Sequence, residues 1–354
     1  MKQSMKAIVY RGPGKMEIEE LPVPEIADDG VLVRTKYAAI CGGELHTYRC
    51  GYGDPEGSIL GHEFVGFVEK AGSDVKGLKV GDRVWGISAD VCGTCWYCEN
   101  GDYVHCSNVL KYVSGHGEPG GMAQMLVIRH ATLGQNIHII PESITDKQAA
   151  LVEPFSVGCA EVSEAAVQPG DKVVVIGCGM IGNSIIQFAK LAGAESIIAV
   201  DVSDVRLEMA ARCGADEIVN SMNEDVLAAV QRIWGENRWF FGESGRADVV
   251  FETAGVASTV NDAVAAVKAG GKLVLVAPSE RDVSLNLGPL INKAPKVIIP
   301  VTGAYAVPTI EAMAAGKLVV DPLIAEVFPL ERAAEAFAAQ SDPNNGMKML
   351  IEMN

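Results

Sequence analysis

The sequence predicts an α/β protein in which a strand-rich segment precedes a doubly wound parallel sheet. Three observations carry that reading. Short apolar strands and helices alternate from about residue 146 to residue 276 at the spacing of βαβ units. The run Gly177-Cys178-Gly179-Met180-Ile181-Gly182 has the form Gly-x-Gly-x-x-Gly and sits between an apolar strand and an apolar helix. Upstream of both, the chain shows brief β-like runs punctuated by Gly, Pro and Asp.

Composition bounds the class. The 354 residues are 49% hydrophobic and 21% charged, which suits a folded globular chain. Lys plus Arg number 29 against 45 Asp plus Glu, a formal charge of −16 that disfavours nonspecific nucleic acid or an anionic membrane as partner. The start, MKQSMKAIVY, has a basic end without a following apolar stretch. The longest apolar run, Val173 to Phe188, is broken by Gly177, Gly179, Gly182, Asn183, Ser184 and Gln187 and is unfit to span a bilayer. A cytoplasmic location is the expectation. Nine cysteines, four of them between Cys92 and Cys106, favour metal or thiol chemistry over a disulfide scaffold.

Along the chain, strands are expected at Ala7–Tyr10, Val31–Ala39, Phe64–Glu69, after the Val80–Val84 turn, and at Ala123–Ile128. Residues 92–121 show no period and form a long irregular excursion. A helix over Thr145–Ala166 must bend or break around Pro154. Strands Val173–Ile176, Ser196–Val200, Glu217–Val219, Asp248–Thr253 and Lys272–Val276 then alternate with helices ending near Leu191, Cys213, Trp234 and Val267. The tail offers a helix at Pro308–Ala315, the short run Val319–Val320, a helix near Leu330–Ala339, and a strand at Met347–Met353 that needs a sheet to join.

The glycine run has a physical reading. Gly177 allows a tight turn, Gly179 lets backbone approach a pyrophosphate, and Gly182 lets the helix pack on the sheet. The helix that opens there supplies free N–H groups and a positive dipole end. Asp201, at the end of the next strand, can accept hydrogen bonds from an adenosine ribose and would repel a 2′-phosphate, so NAD is favoured over NADP; Arg206 lies five residues on. The bland alternative is a turn that is glycine-rich for packing alone.

Cys92, Cys95, Cys98 and Cys106 follow C-x2-C-x2-C-x7-C. Four thiolates satisfy tetrahedral zinc and leave no open position, which makes the site structural and lets an ion replace a hydrophobic core in the excursion. An iron–sulfur cluster and unliganded thiols are the alternatives; Ser107, rather than Pro, follows the fourth cysteine. Cys41, His46, His62, Glu63 and Glu153 remain as a scattered polar set, and one sulfur, one nitrogen and one oxygen from it would suit zinc with an open position, although an isolated Cys or His is more often structural. Cys50, Cys159, Cys178 and Cys213 read as buried small hydrophobes, and His116, His130 and His138 as surface or core polar residues.

Taken in order, Met5-Lys6-Ala7, Cys41-Gly42-Gly43-Glu44-Leu45-His46, Gly61-His62-Glu63-Phe64-Val65-Gly66, Gly81-Asp82-Arg83-Val84, the four cysteines, Glu153-Pro154, the glycine run and Phe251-Glu252-Thr253-Ala254-Gly255 resemble the zinc-containing medium-chain alcohol and polyol dehydrogenases. Glu153-Pro154 looks most like the sorbitol dehydrogenase branch. The resemblance implies a GroES-like β-barrel catalytic domain over 1–150 with a structural zinc lobe at 88–120, an inserted Rossmann NAD-binding domain over 151–295, and a return to the catalytic domain over 296–354. It implies a catalytic zinc held by Cys41, His62 and one or both of Glu63 and Glu153, with His46 assisting. Gly177, Gly179, Met180, Ile181, Gly182, Asp201, Arg206, Ala254 and Val276 would line the cofactor. Two zinc ions per subunit and a homotetramer or homodimer are implied, as is reversible oxidation of an unphosphorylated polyol, cyclitol, diol or sugar. A simple alcohol or aldehyde dehydrogenase and a non-catalytic dinucleotide-binding protein are the alternatives.

Two departures stand out. Gly43 occupies a position usually held by Ser or Thr, whose hydroxyl passes the substrate proton towards solvent, and Glu44 stands where Asp is usual. Residues 234–246 are also longer and more aromatic than the usual link and read as a packed loop or a covering segment.

Overall fold

The computed structural model describes residues 4–51, 53–279, 282–300, 305–342 and 344–354. The chain divides into two compact units, Met1–Glu153 with Ala306–Asn354, and Pro154–Tyr305.

In the first unit the strand Val31–Ala39 is the organising element. It pairs antiparallel with Phe64–Ala71, Met125–Ile128 and Lys348–Glu352. The sheet continues through Arg83–Gly86 to Ile137–Ile139 on one side, and on the other Ile324–Pro329 lies parallel to Lys348–Glu352. An antiparallel pair, Ser4–Tyr10 with Met16–Pro22, packs its buried face into the same core, which includes Ile8, Tyr10, Val33, Phe64, Leu126, Phe337 and Ile351. This is the GroES-like barrel. The last strand finds its sheet by returning to the first domain: Leu350 and Ile351, fully buried, lie opposite Ala39 and Ala38. Val319–Val320 forms no strand; the tail's other strand is Ile324–Pro329, behind the 3-10 turn Asp321–Leu323.

The second unit holds six parallel strands. In spatial order they are Glu217–Asn220, Ser196–Asp201, Lys172–Ile176, Ala247–Glu252, Val267–Leu275 and Lys296–Ile298. Numbered along the chain, this is 3-2-1-4-5-6, the Rossmann order, with the switch point between the first and fourth strands. Val173–Val175 and Ile197–Ala199 are wholly buried, as strands covered on both faces must be. The unit runs past residue 295, because Lys296–Ile298 is the sheet's edge strand.

The expected break near Pro154 falls slightly earlier. A short helix, Asp146–Ala149, is capped by Thr145 in a reciprocal box with Gln148. The chain then restarts as Val152–Glu164. Pro154 sits in the first turn of that second helix, where no N–H is required of it, so the interruption precedes the proline. The excursion between Cys92 and Gly121 is irregular, with one short helix at Trp96–Glu99 and 3-10 turns at Tyr103–His105 and Val109–Tyr112. Trp96, Tyr103 and Leu110 are exposed, so the lobe has little apolar interior. Residues 234–246 are not a packed loop. They form a hairpin, Asn237–Trp239 against Gly242–Ser244, whose tip leaves Phe240 88% exposed. Among the described residues no helix is long and apolar enough to cross a membrane.

Glu161, on the helix Val152–Glu164, is 2% exposed, and its Oε2 is buried without a partner among the described residues. Burial, reinforced by Glu164, pushes its carboxyl up to about 7. The folded chain therefore keeps a proton that the unfolded chain releases above an ordinary glutamate pKa of 4.5, and stability falls as pH rises from there to about 7. Glu161→Gln should stabilise the protein at pH 8 by on the order of 2 kcal/mol, a few degrees in Tm, and by much less at pH 5. Melting curves at the two pH values check this; equal gains at both contradict it.

Candidate metal centres and dinucleotide site

Cys41 ends the segment after Val31–Ala39 and is the N-cap of the helix Gly42–Cys50. His62 and Glu63 lie in the turn that enters Phe64–Ala71. Gly61 makes that turn: its φ is +107°, and a Cβ there would stand 2.6 Å from Met122 N. The two segments are joined by Glu44. Its Oε2 accepts from Cys41 N at 2.9 Å, completing half a capping box, while Oε1 accepts from Gly61 N at 2.8 Å and His62 N at 3.3 Å. The same Oε1 lies 3.1 Å from His62 Nδ1. Glutamate in place of the shorter aspartate provides the reach for both segments.

Opposite Glu44 stands a residue that the sequence reading missed. Lys348, 3% exposed, donates to Ile40 O at 3.0 Å and to Glu63 Oε1 at 2.8 Å, and lies 2.7 Å from Glu63 Oε2. Burial disfavours charge on both Glu44 and Lys348, but opposite charges prevail. His62 holds the Glu44 carboxyl below its ordinary range, and Glu63 with Cys41 holds Lys348 above its own. A lysine at the first position of the last strand carried no motif; only the pairing of that strand beside Ile40 places it.

The donor atoms of Cys41, His62 and Glu63 lie within 4.8 Å of one another. His62 Nδ1 and Glu63 Oε2 are buried without an aligned hydrogen-bond partner among the described residues. A thiol, an imidazole and a carboxylate at that spacing fit one zinc ion. Glu153 falls outside this set, although its carboxyl is electrostatically linked to it: burial pushes it up to about 7, with Glu63 adding to the rise and His62 opposing it. His46 lies half-buried on the helix Gly42–Cys50. At Gly43 a Cβ would meet nothing within 4 Å, so the position is open and no hydroxyl fills it.

The second cluster is tighter. Sγ–Sγ distances are 3.5 Å for Cys95–Cys98, 3.6 Å for Cys106–Cys92 and 4.0 Å for Cys92–Cys98, and all four sulfurs lie within 4.8 Å of one another. Tetrahedral zinc with Zn–S bonds of ~2.3 Å places sulfurs about 3.8 Å apart. The spacing fits a single ion and is too close for sulfurs spread around an iron–sulfur cube. The backbone N–H of Thr94 pulls the Cys92 thiol down to about 5, and those of Cys98 and Ser107 pull Cys95 to about 7. Burial raises Cys98 to about 12. Cys159, Cys178 and Cys213 are buried as expected; Cys50 is exposed.

In the second unit the glycine run follows the strand Lys172–Ile176 and opens the helix Met180–Leu191, with Gly179 as N-cap. Gly177 has φ +96°, and a Cβ there would crowd Thr253 Oγ1 at 2.7 Å. A Cβ on Gly182 would stand 1.9 Å from Gly177 O. Gly179 has nothing within 4 Å of its Cβ position, which leaves the backbone open to a ligand. Thr253 Oγ1 donates to Gly177 O at 2.6 Å and so ties the loop to the end of the neighbouring strand. Asp201 is mostly buried; Oδ2 accepts from Cys178 N at 2.7 Å and Oδ1 from Ser203 N at 2.9 Å. Arg206 Nε is buried without a partner among the described residues. Ala254 lines a cavity of about 570 Å³ with Gly255, Ser258 and Pro278. Met180 is buried, Ile181 half-buried, and Val276 donates its N–H to Glu252 O at 2.9 Å. The loop fits a dinucleotide pyrophosphate.

Comparison with known proteins agrees with both halves. Residues 27–141 match the alcohol dehydrogenase GroES-like domain and residues 180–315 the zinc-binding dehydrogenase domain. Sorbitol dehydrogenase of Bacillus subtilis (strain 168) is 33% identical over 99% of this chain and 98% of its own. An Escherichia coli oxidoreductase/dehydrogenase of unknown specificity superposes with a TM-score of 0.88 at 29% identity, covering 99% of this chain and 100% of its own. An alcohol dehydrogenase of Escherichia coli CFT073, solved with the cofactor NADH, gives 0.86 at 26% identity over 99% of both chains. With the barrel, the Rossmann sheet and the convergent metal donors in place, the chain belongs to the zinc-type medium-chain alcohol dehydrogenases, on their sorbitol-dehydrogenase-like side.

Proposed function

We propose that this zinc- and NAD-dependent oxidoreductase reversibly oxidises a secondary hydroxyl of an unphosphorylated polyol, cyclitol, diol or sugar to the ketone. The observation that carries the reading is the convergence of Cys41, His62 and Glu63 on one ion-sized space. Full-length similarity to a sorbitol dehydrogenase supports it. When bound, zinc lowers the pKa of a substrate hydroxyl and NAD accepts a hydride from the carbinol carbon.

The chain's own residues supply the rest. Cys41, His62 and Glu63 would hold the catalytic ion, leaving a position for substrate, with Glu153 as an alternative carboxylate. Glu44 fixes His62 and the Cys41 backbone, and Lys348 fixes Glu63. Gly43 carries no hydroxyl, so the substrate proton must leave by another route, for which His46 is the nearby candidate. Arg129, one of the basic residues that could meet a phosphate, is paired with Asp90 and Glu118 at 3.1 Å each, which favours an unphosphorylated substrate. The closed four-cysteine site would hold a second, structural zinc. Asp201 and the glycine loop would take NAD, and the assembly expected is a homotetramer or homodimer.

Cys41→Ser and His62→Ala should each lower turnover of D-sorbitol or butane-2,3-diol by ~1,000-fold or more, with NADH affinity little changed. Steady-state rates with fluorescence titration of NADH check this, and near-normal turnover sinks the assignment. Cys95→Ser should remove about one zinc per chain and lower the Tm by several degrees, read by metal analysis and melting. Retained metal with an unshifted melt contradicts a structural ion there. Asp201→Ala should weaken NAD binding by ~10-fold and narrow the preference over NADP. Unchanged affinities for both cofactors oppose that role.

A further inference from the structure

We propose that His116, held in place by Asp54, recognises a second substrate hydroxyl adjacent to the one that is oxidised. The inference rests on the proposed function and deepens it, since it assigns a residue that distinguishes a diol or polyol from a simple alcohol.

The loop carrying His116 is fitted onto the turn that carries His62. Gly120 N donates to Ile59 O at 2.9 Å, Gly121 N to Gly61 O at 2.6 Å and Met122 N to Leu60 O at 3.0 Å. Close approach depends on missing side chains: a Cβ at Gly115 would stand 2.9 Å from His62 N, and one at Gly120 2.4 Å from Gly61 O. Gly115 also has φ +85°, and His116 N closes the turn on Val113 O at 3.1 Å. The outcome is that the imidazole of His116 stacks on that of His62, with ring centroids 5.2 Å apart and planes 22° from parallel. His62 is one of the convergent donors, so a group held at that centre lies within reach of His116.

The second imidazole is also oriented. His116 Nδ1 lies 3.3 Å from Asp54 Oδ1, and Asp54 Oδ2 accepts from Thr47 Oγ1 at 3.3 Å. Asp54 has only 9% of its side chain exposed and Thr47 is buried, so the carboxylate is fixed between the helix Gly42–Cys50 and the loop. The carboxylate engages Nδ1 as a donor and leaves Nε2 as the free edge of the ring. Nε2 has no partner among the described residues, and a third of the His116 side chain is exposed. A fixed ring nitrogen beside the centre suits a hydroxyl on the carbon next to the reacting one, since a hydroxyl can pair with it as donor or acceptor. A monohydroxy alcohol would leave it unpaired. His116 is thus a specificity-determining residue and Asp54 its positioning residue.

Butan-2-ol and butane-2,3-diol differ by that one hydroxyl and provide the test. For the zinc-loaded full chain with NAD, the ratio of kcat/KM for diol over monoalcohol should fall by ~10-fold or more in His116→Ala and equally in His116→Phe, which keeps a ring on His62 but removes the nitrogen. Asp54→Ala should lower the same ratio by a smaller factor. The Kd of butane-2,3-diol for the enzyme–NADH complex, measured by calorimetry, should weaken in parallel in both His116 variants while zinc content stays at the wild-type level. An unchanged ratio, or a loss in His116→Ala that His116→Phe restores, overturns the inference. Wild-type protein that oxidises both alcohols but shows no dependence on His116 overturns this inference alone. Wild-type protein that carries zinc and oxidises none of butan-2-ol, butane-2,3-diol, D-sorbitol, an inositol or a hexose overturns the proposed function and this inference with it.

Discussion

The reactive half of the molecule depends on one buried carboxylate. Glu44 is 1% exposed, and an ionised group in that position is tolerable only when its lone pairs are taken. They are taken by N–H groups of Cys41, Gly61 and His62, and the His62 ring lies against the same oxygens. Two segments that the chain brings in separately, the start of the helix Gly42–Cys50 and the turn before Phe64–Ala71, are locked together by satisfying a single charge. Lys348 repeats the device from the other side and brings in the tail. Its hydrogen bond to Glu63 lies beside its bond to Ile40 O, next to Cys41, so the return of the last strand to the first sheet shapes the metal centre as well as closing the barrel. Three stretches distant in sequence are held by two compensating buried charges, and removing either partner would strand the other.

The dinucleotide half is governed by close approach instead of charge. Gly182 meets Gly177 O at a distance no side chain allows, and Thr253 ties that same carbonyl to the strand across the switch point. Asp201 has a part in this that its position alone does not disclose. It accepts from Cys178 N, inside the glycine run, and so fixes the loop before any ribose reaches it. A cofactor entering there meets a loop already shaped, which lowers the ordering cost of binding.

Much of this was legible in the sequence because it is local. Strand–helix alternation, the glycine run and the cysteine spacing each lie within a short window, and the strand Val31–Ala39 is found as expected. The helix Gly42–Cys50 escaped because it begins with two glycines and has no apolar stripe; its signals were the Cys41–Glu44 cap and Gly51, whose φ of +69° ends it. The edge strand Lys296–Ile298 and the short Ile137–Ile139 are three residues each, too brief for any period to show. Lys348 and His116 were invisible for a different reason. Neither sits in a motif, and each becomes part of the centre only through tertiary placement, Lys348 by strand pairing and His116 by a glycine-rich loop lying on another turn. The aromatic run Trp239-Phe240-Phe241 misled in the opposite direction, since bulky apolar residues suggest burial, yet a tight hairpin leaves Phe240 and Phe241 exposed at its tip.

The two metal sets explain why one chain would use the same ion for different ends. Four sulfurs at tetrahedral spacing would fill every position of one ion and draw together a lobe whose large side chains face solvent, so an ion there would take the place of a core. Cys41, His62 and Glu63 offer three donors of differing charge and hardness, and a tetrahedral ion held by them would keep one position for an oxygen ligand. Their neighbours are chosen accordingly. Backbone N–H groups surround the cysteine site, with Cys92 N donating to Cys106 Sγ at 3.3 Å and Asn108 N at 3.5 Å, an arrangement that stabilises thiolate and offers nothing to a substrate. Around His62 the neighbours are side chains: Glu44, Lys348 and the His116–Asp54 pair. Polar side chains whose positions are fixed from behind, with one ring edge left unpaired, are what selective recognition of a hydroxyl-rich substrate requires.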